Sequence, residues 1–360
     1  MFGKFFLPGP TEVRPEILAA QTRPMIGHRG KSMEELVASL TPGLQYIFRT
    51  SRPVYISTSS ATGLMEGAVR NGARRKVLSL VNGAFSERFH RIAVACGLDA
   101  DVLEVPLGAG HPPEMLEHAL RRADYDAVTV VHSETSTGVL NPIAELAHAA
   151  HARGDVALLV DSVTGIAGAP VETDAWDLDF VLTGSQKALA LPPGLALGVA
   201  RPSLLERAKA KKDRGIYFDF IEFEKNIVKN QTPNTPAIPL FYALGAQLEA
   251  IRRETIEARW ERHAAMARRT WAWADEMKDR GMDVRVLAPE GFRSPTVTCL
   301  TMPPGHTGSG VTAALKQRGF TIASGYGALK DATIRIGHMG DHTVAELDVL
   351  LKELAQVLAS

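Results

Sequence analysis

Asp161 and Lys187 are the residues whose types and setting first point to chemistry in this chain. Each closes a short apolar run. Val156 to Val160 leads into Asp161, and Asp179 to Thr183 leads into Gly184-Ser185-Gln186-Lys187. Such runs read as buried strands. The carboxyl ends of strands are where open α/β sheets hold ligands. Two chemistries fit a carboxylate and an amine placed this way. One is an internal ion pair. The other is pyridoxal phosphate chemistry, in which the lysine forms a Schiff base with the aldehyde and the acid keeps the ring nitrogen protonated.

The elements around this pair repeat one pattern. Val54 to Ser57 reads as a strand, Ser59-Ser60-Ala61-Thr62-Gly63 as a turn, and Leu64 onward as a helix. A small-residue turn into a helix offers free N–H groups and the positive end of the helix dipole to a phosphate. An ordinary hydroxyl-capped helix start reads the same way, and no Walker Gly-Lys-Ser/Thr follows. Lys76 to Val81 is a strand, and Phe85 lies just past it, either as a core aromatic or as a ring for stacking on a flat cofactor. Ala127 to Val131 runs into the hydroxyl-rich loop His132 to Gly138, and Pro142 to Arg153 is the next helix. Strands alternating with helices of about ten residues imply a mostly parallel, doubly wound sheet. No Gly-x-Gly-x-x-Gly turn follows any strand, which argues against a dinucleotide enzyme.

Flanking segments differ. Pro8, Pro10 and Pro15 around Gly9 predict an extended arm that packs across a neighbour or lies over a site. His28-Arg29 is a loop pair, either solvated or facing an anionic substrate, and Ser32 is the expected cap of a helix from Met33 toward Phe48. Asn230 to Pro236 reads as a rigid polar loop before an apolar helix around Ile238 to Ile251. The texture then changes. Arg252 to Arg280 reads as one long charged helix, Val284 to Val286, Thr296 to Thr301 and Thr333 to Gly337 as strands, and Gly310 to Arg318 and His342 to Leu358 as helices. The division expected is an arm over 1–14, a large domain over 15–254 and a small α+β domain over 255–360.

Composition narrows the classes. The 360 residues carry a formal net charge of +0 and are 45% hydrophobic. Nothing there favours nucleic acid or an anionic membrane. Cys96 and Cys299 are too few for a disulfide framework and lack metal-ligand spacing, so no metal is expected and a reducing cytoplasm fits. The apolar start, Met1 to Leu7, is too short for a signal-peptide core, and no run is long enough to span a membrane.

Several pieces in this order carry a resemblance. They are Leu7-Pro8-Gly9-Pro10-Thr11, His28-Arg29, Ser60 to Glu66, Val81-Asn82-Gly83, His132 to Val139, Val160 to Val163, Gly184 to Leu189, Thr235-Pro236 and Arg335 to Gly340. The chain resembles the class V, fold-type I aminotransferases that use pyridoxal phosphate, most of all the alanine–glyoxylate and serine–glyoxylate (or serine–pyruvate) branch. The resemblance implies these roles. Lys187 forms the internal aldimine and then moves the proton. Asp161 pairs with the ring nitrogen, Val163 packs on one ring face and Phe85 on the other. Thr135 lies near the phenolic oxygen. Ser60, Ala61, Thr62 and Gln186 hold the phosphate, joined by Thr235 from the neighbouring subunit of a homodimer. Arg335 binds the substrate carboxylate, Gly9 borders the pocket, and His28 is a further substrate contact.

The implied reaction is ping-pong transfer from alanine or serine to glyoxylate or pyruvate. Aspartate, an aminophosphonate or ureidoglycine as donor, or a lyase reaction, are the alternatives. A desulfurase needs a cysteine on a mobile loop, and neither cysteine is placed so. Two departures stand out. Ser59 and Ala61 replace glycines of the phosphate turn, and Thr232 replaces a tyrosine that precedes the shared threonine.

Overall fold

The computed structural model describes residues 2–360. Among these residues twelve strands and twelve α-helices follow in chain order: α1 (Pro15–Ala20), α2 (Lys31–Phe48), β1 (Tyr55–Ser57), α3 (Ala61–Gly72), β2 (Lys76–Val81), α4 (Ala84–Ala95), β3 (Asp99–Glu104), α5 (Pro113–Ala119), β4 (Ala127–Val131), β5 (Ser133–Glu134), β6 (Val139–Leu140), α6 (Ile143–His151), β7 (Ala157–Asp161), β8 (Phe180–Gly184) and β9 (Ala196–Ala200). Then come α7 (Pro202–Ala210), α8 (Phe220–Ile227), α9 (Ile238–Glu254), α10 (Ile256–Asp279), β10 (Val297–Thr301), α11 (Gly308–Gln317), β11 (Ala323–Ser324), β12 (Thr333–Gly337) and α12 (Val344–Leu358).

The main sheet has seven strands in the order β1-β9-β8-β7-β4-β2-β3. The run from β3 to β8 is parallel, while β9 is antiparallel to both β8 and β1. Strands β4, β7, β8 and β9 are buried at every residue. That is why their sequences are continuous apolar runs, because helices cover both faces. At the edge, β3 is only partly buried. A second, antiparallel sheet has the order β10-β12-β11. Each sheet has its own apolar cluster, one built from residues between Ile17 and Ile256, the other from Phe6 and residues between Met266 and Leu358. The α/β architecture is therefore a mostly parallel, doubly wound sheet with a smaller α+β unit.

The N-terminal arm lies over its own chain. Phe6 N–H donates to Thr321 O at 2.8 Å, and Gly337 N–H donates to Phe6 O at 2.8 Å. The fully buried Phe6 ring anchors this crossing, which contributes about 2 kcal/mol by area. A Cβ on Gly337 would strike the Leu7 carbonyl, so glycine is required where arm and β12 meet.

Local differences from the sequence reading have simple causes. The expected single helix over 252–280 is split. Residues 252–254 finish α9, and Thr255, in a positive-φ conformation, caps α10 by accepting from Ala258 N–H. Ser32 does not cap α2; Gly30 holds that position and Lys31 is already helical. Residues 284–286 form no strand, since only Val286 bridges to Leu300. The short helices α1 and α8 were not anticipated. Among the described residues no helix is long and apolar enough to cross a membrane, and no group of His, Cys, Asp and Glu could hold a metal.

Candidate active site

Lys187 sits in the turn after β8. Its backbone is fastened on several sides. Thr11 Oγ1 donates to Lys187 O at 3.0 Å and Ala190 N–H to the same oxygen at 2.8 Å. The adjacent Ala188 O accepts from Arg259 Nη2 at 2.7 Å, and Arg259 is itself paired with Asp341 at 2.8 Å. The ammonium donates to Pro8 O at 2.5 Å. Beside it, Gly9 has φ +110°, and a Cβ there would collide with the lysine side chain. Burial, with the Arg335 charge second, pulls the Lys187 pKa down to about 8.

Asp161 ends β7 and is 3% exposed. Oδ1 accepts from Val163 N–H at 2.8 Å, its one protein hydrogen bond among the described residues. Burial pushes its pKa up to about 7, with Glu134 adding and the Val163 N–H opposing. Among the described residues Lys187 forms no ion pair; its ammonium is turned to the arm instead.

One cavity of about 370 Å³ is lined by Gly9, Ser60, Ala61, Thr62, Phe85, Thr135, Asp161, Val163, Gln186 and Lys187. The carboxyl ends of β1, β2, β4, β7 and β8 bring these together, which is where parallel sheets place ligands. At the start of α3, Gly63 N–H turns back to Ser60 O at 3.0 Å, and Ser60 makes no side-chain cap. No protein acceptor within the described residues takes the Ala61 and Thr62 N–H groups. Ala61 is helical with negative φ, so its replacement of glycine keeps the donor. The Gln186 side-chain oxygen is buried without a partner. Exchanging the amide's O and N turns two donors toward the same space. A helix start with free donors suits a phosphate, Phe85 and Val163 offer apolar walls to a flat ring, and the single-bonded Asp161 suits a protonated ring nitrogen.

Arg335 lies on β12, 8% exposed. Nε donates to Ser324 O at 3.0 Å and Nη1 to Thr135 O at 3.3 Å, which leaves Nη2 free for a carboxylate. It stands behind Thr135 and does not itself line the cavity. His28 does not line it either. Arg29 instead donates to Thr232 O at 2.6 Å and Pro233 O at 3.0 Å, holding the loop that carries Thr235. Thr235 is exposed and lines a separate small pocket with Thr58 and Tyr217. His338, from the Arg-Ile-Gly-His segment, is fully buried, accepts or donates at Thr298 Oγ1 over 2.8 Å, and burial holds its pKa at about 4, so it is neutral and structural. Cys299 is buried in β10, where burial raises its thiol to about 11.

Four residues carry more of the site than the sequence reading gave them. Glu134 is wholly buried and accepts from Ser86 N–H at 2.9 Å, Phe85 N–H at 3.2 Å and Ser136 Oγ at 2.6 Å. It appeared in the hydroxyl-rich loop without a role. Arg88 lines the cavity with its guanidinium 4.9 Å from the Phe85 centroid, one turn of helix after that ring. Arg259, which holds Ala188 O, and Tyr326, whose ring packs 5.9 Å from the Phe85 ring outside the cavity, come from distant chain segments, and no local pattern marks them.

Residues 46–350 match the family Aminotransferase class-V. An uncharacterized aminotransferase of Methanocaldococcus jannaschii is 37% identical over 361 residues, covering 97% of this chain and 92% of its own. A serine–glyoxylate aminotransferase of Methylorubrum extorquens is 32% identical over 93% of this chain and 86% of its own. The solved structure of an aspartate aminotransferase of subgroup IV from Thermus thermophilus superposes with a TM-score of 0.90 at 32% identity, over 99% of both chains. With a parallel sheet that gathers a lysine, an acid and a phosphate-ready helix start at its carboxyl edge, the chain belongs to the class V aminotransferases.

Proposed function

We propose that this transaminase works with pyridoxal phosphate and moves an amino group from a small L-amino acid, alanine or serine, to glyoxylate or pyruvate in two half-reactions. The observation that carries the reading is the cavity shared by Lys187, Asp161 and the open start of α3. The serine–glyoxylate relative supports the substrate class. Ser60, Ala61, Thr62 and Gln186 hold the phosphate, Phe85 and Val163 the ring faces, Thr135 the phenolic oxygen, and Asp161 the proton at the ring nitrogen. Thr235 of the partner subunit completes the phosphate site in a homodimer. The bound cofactor supplies an electron-withdrawing ring that stabilises negative charge at the substrate Cα.

This chain's residues do the rest. Arg335 Nη2 takes the α-carboxylate and orients the Cα–H bond. Lys187 Nζ, partly neutral at pH 8, removes that proton and returns one to the product side. The arm over Lys187 excludes water from this transfer. His28 has no part in the single chain's cavity, and we assign it none.

A second donor reading is aspartate. Arg88 lines the cavity, and among the described residues no carboxylate pairs with it, so it is free to receive a side-chain acid. The aspartate aminotransferase structure is in line with that reading. The test is a set of half-reactions: purified enzyme loaded with pyridoxal phosphate is mixed with alanine, serine or aspartate, and the cofactor absorbance is followed. Alanine and serine should bleach the band, and Lys187→Ala should slow the step by about 10²- to 10⁴-fold. If aspartate alone reacts, the alanine–serine reading is lost.

A further inference from the structure

The turn that carries Lys187 does not hold itself. Ala190 N–H closes it onto Lys187 O at 2.8 Å, but Ala190 does so at a φ of 52°, a conformation that favours glycine. Further holds come from outside. Three successive carbonyl oxygens each take a donor from a distant segment. Thr11 N–H donates to Gln186 O at 2.9 Å, Thr11 Oγ1 to Lys187 O at 3.0 Å and Arg259 Nη2 to Ala188 O at 2.7 Å. The first two come from the arm and the third from α10.

Arg259 is 1% exposed, and its Nε has no partner among the described residues. Replacing a buried ion pair by apolar packing is often neutral or stabilising, so stability alone does not account for this residue. Its fork is aimed by two acids: Nη1 donates to Asp341 Oδ1 at 2.8 Å and to Glu254 Oε2 at 3.0 Å. Asp341 is fixed in turn by Gln247 Nε2 at 3.1 Å and Arg14 Nε at 3.3 Å. The other end of the guanidinium reaches the site through Ala188 O, one residue past Lys187. Lys187 Nζ has to serve two places, the cofactor aldehyde and the substrate Cα–H. Drift of the turn is carried along the side chain to that nitrogen, and a misplacement of about 1 Å can cost about 10²-fold in rate.

We propose that Thr11 and Arg259 are positioning residues for Lys187: from the arm and from α10 they hold the carbonyls at 187 and 188, and so set where the lysine nitrogen meets the cofactor aldehyde. This rests on the reading of Lys187 as the residue that bonds the cofactor. Neither Thr11 nor Arg259 lines the cavity, so each acts through the lysine.

The experiment compares affinities rather than turnover. Pyridoxal phosphate is held by the Schiff base together with the phosphate and ring contacts, whereas pyridoxamine phosphate has those contacts alone. Calorimetry on cofactor-free protein gives the ratio of the two affinities for wild type, Thr11→Val, Thr11→Ser and Arg259→Lys. Thr11→Val should lower the preference for pyridoxal phosphate about three- to tenfold, the scale of one hydrogen bond. Arg259→Lys keeps the charge but loses the planar fork, and should lower it about tenfold or more. Thr11→Ser keeps the hydroxyl and should keep the ratio. In a Lys187→Ala background the same changes should leave pyridoxal phosphate affinity where Lys187→Ala alone puts it, since no lysine is there to position. Equal weakening of both ligands, or the same loss with alanine at 187, would make the two residues scaffold and overturn the proposal. So would an unaltered ratio in either Thr11→Val or Arg259→Lys. Thr11→Val removes no charge and decides alone if Arg259→Lys does not fold. A wild type that binds both ligands equally, with no absorbance that borohydride bleaches, removes Lys187 as the bonding residue. That is a different result from a wild-type preference that no substitution disturbs.

Discussion

Burial moves Asp161 and Lys187 away from the charge states that free side chains would hold. The acid is pushed up to about 7 and the amine down to about 8. A direct ion pair would have done the reverse to both. Of the two readings left open by their spacing, the ion pair does not form among the described residues, and the ring reading is the one proposed above. A stability prediction follows at this scale. Asp161 titrates near 3.9 when unfolded and near 7 when folded. The folded state binds the proton more tightly, so stability is kept below about pH 4 and lost as pH rises toward 7. The loss is on the order of 4 kcal/mol. Melting temperatures of cofactor-free protein should fall from about pH 4.5 to about pH 7, and Asp161→Asn should flatten the slope. Saturating pyridoxal phosphate should flatten it too, because a cationic ring nitrogen favours the carboxylate. An equal slope in wild type and Asp161→Asn would remove Asp161 as its source.

At the scale of elements, one carboxylate joins the start of α4 to the loop after β4. Glu134 accepts from Phe85 and Ser86 N–H on one side and from Ser136 N–H and Oγ on the other. Glu134→Gln turns an amide NH₂ toward donors, and each buried group left unsatisfied costs about 1–3 kcal/mol. The variant should melt lower and bind pyridoxal phosphate about tenfold more weakly, the energy of one such group. A lower melting temperature with unaltered cofactor affinity would reduce Glu134 to scaffold. The elements themselves were readable where burial is two-sided. Ala127 to Val131 and Val156 to Val160 announce themselves as strands because both faces are covered. Boundaries were less readable. Thr255 could be read as a cap, but the charge pattern of Arg252 and Arg253 runs on across it. Arg259 and Tyr326 escaped because their partners, Ala188 and Phe85, are far away in sequence, and only the folded topology brings them near.

At the scale of the molecule, Thr235, the phosphate contact proposed from a partner subunit, lies outside the cavity of its own chain. It is exposed, outside the cavity, on a loop pinned by Arg29 to the segment before α2. The proposed homodimer gives it a function, since a loop held rigid but facing outward suits a neighbour's phosphate. Mixed dimers test this without any new contact. Lys187→Ala chains keep Thr235, and Thr235→Ala chains keep Lys187. If each site takes its lysine from one subunit and its threonine from the other, a mixed dimer regains one site with both residues. Thr235→Ala alone should weaken pyridoxal phosphate binding by about tenfold, the scale of one hydrogen bond to a charged group. Mixing with Lys187→Ala chains under conditions that exchange subunits should then return a fraction of sites to wild-type affinity and wild-type single-turnover rate. If the threonine served its own chain's site, mixing would restore nothing, since every Lys187 would still be paired with alanine at 235.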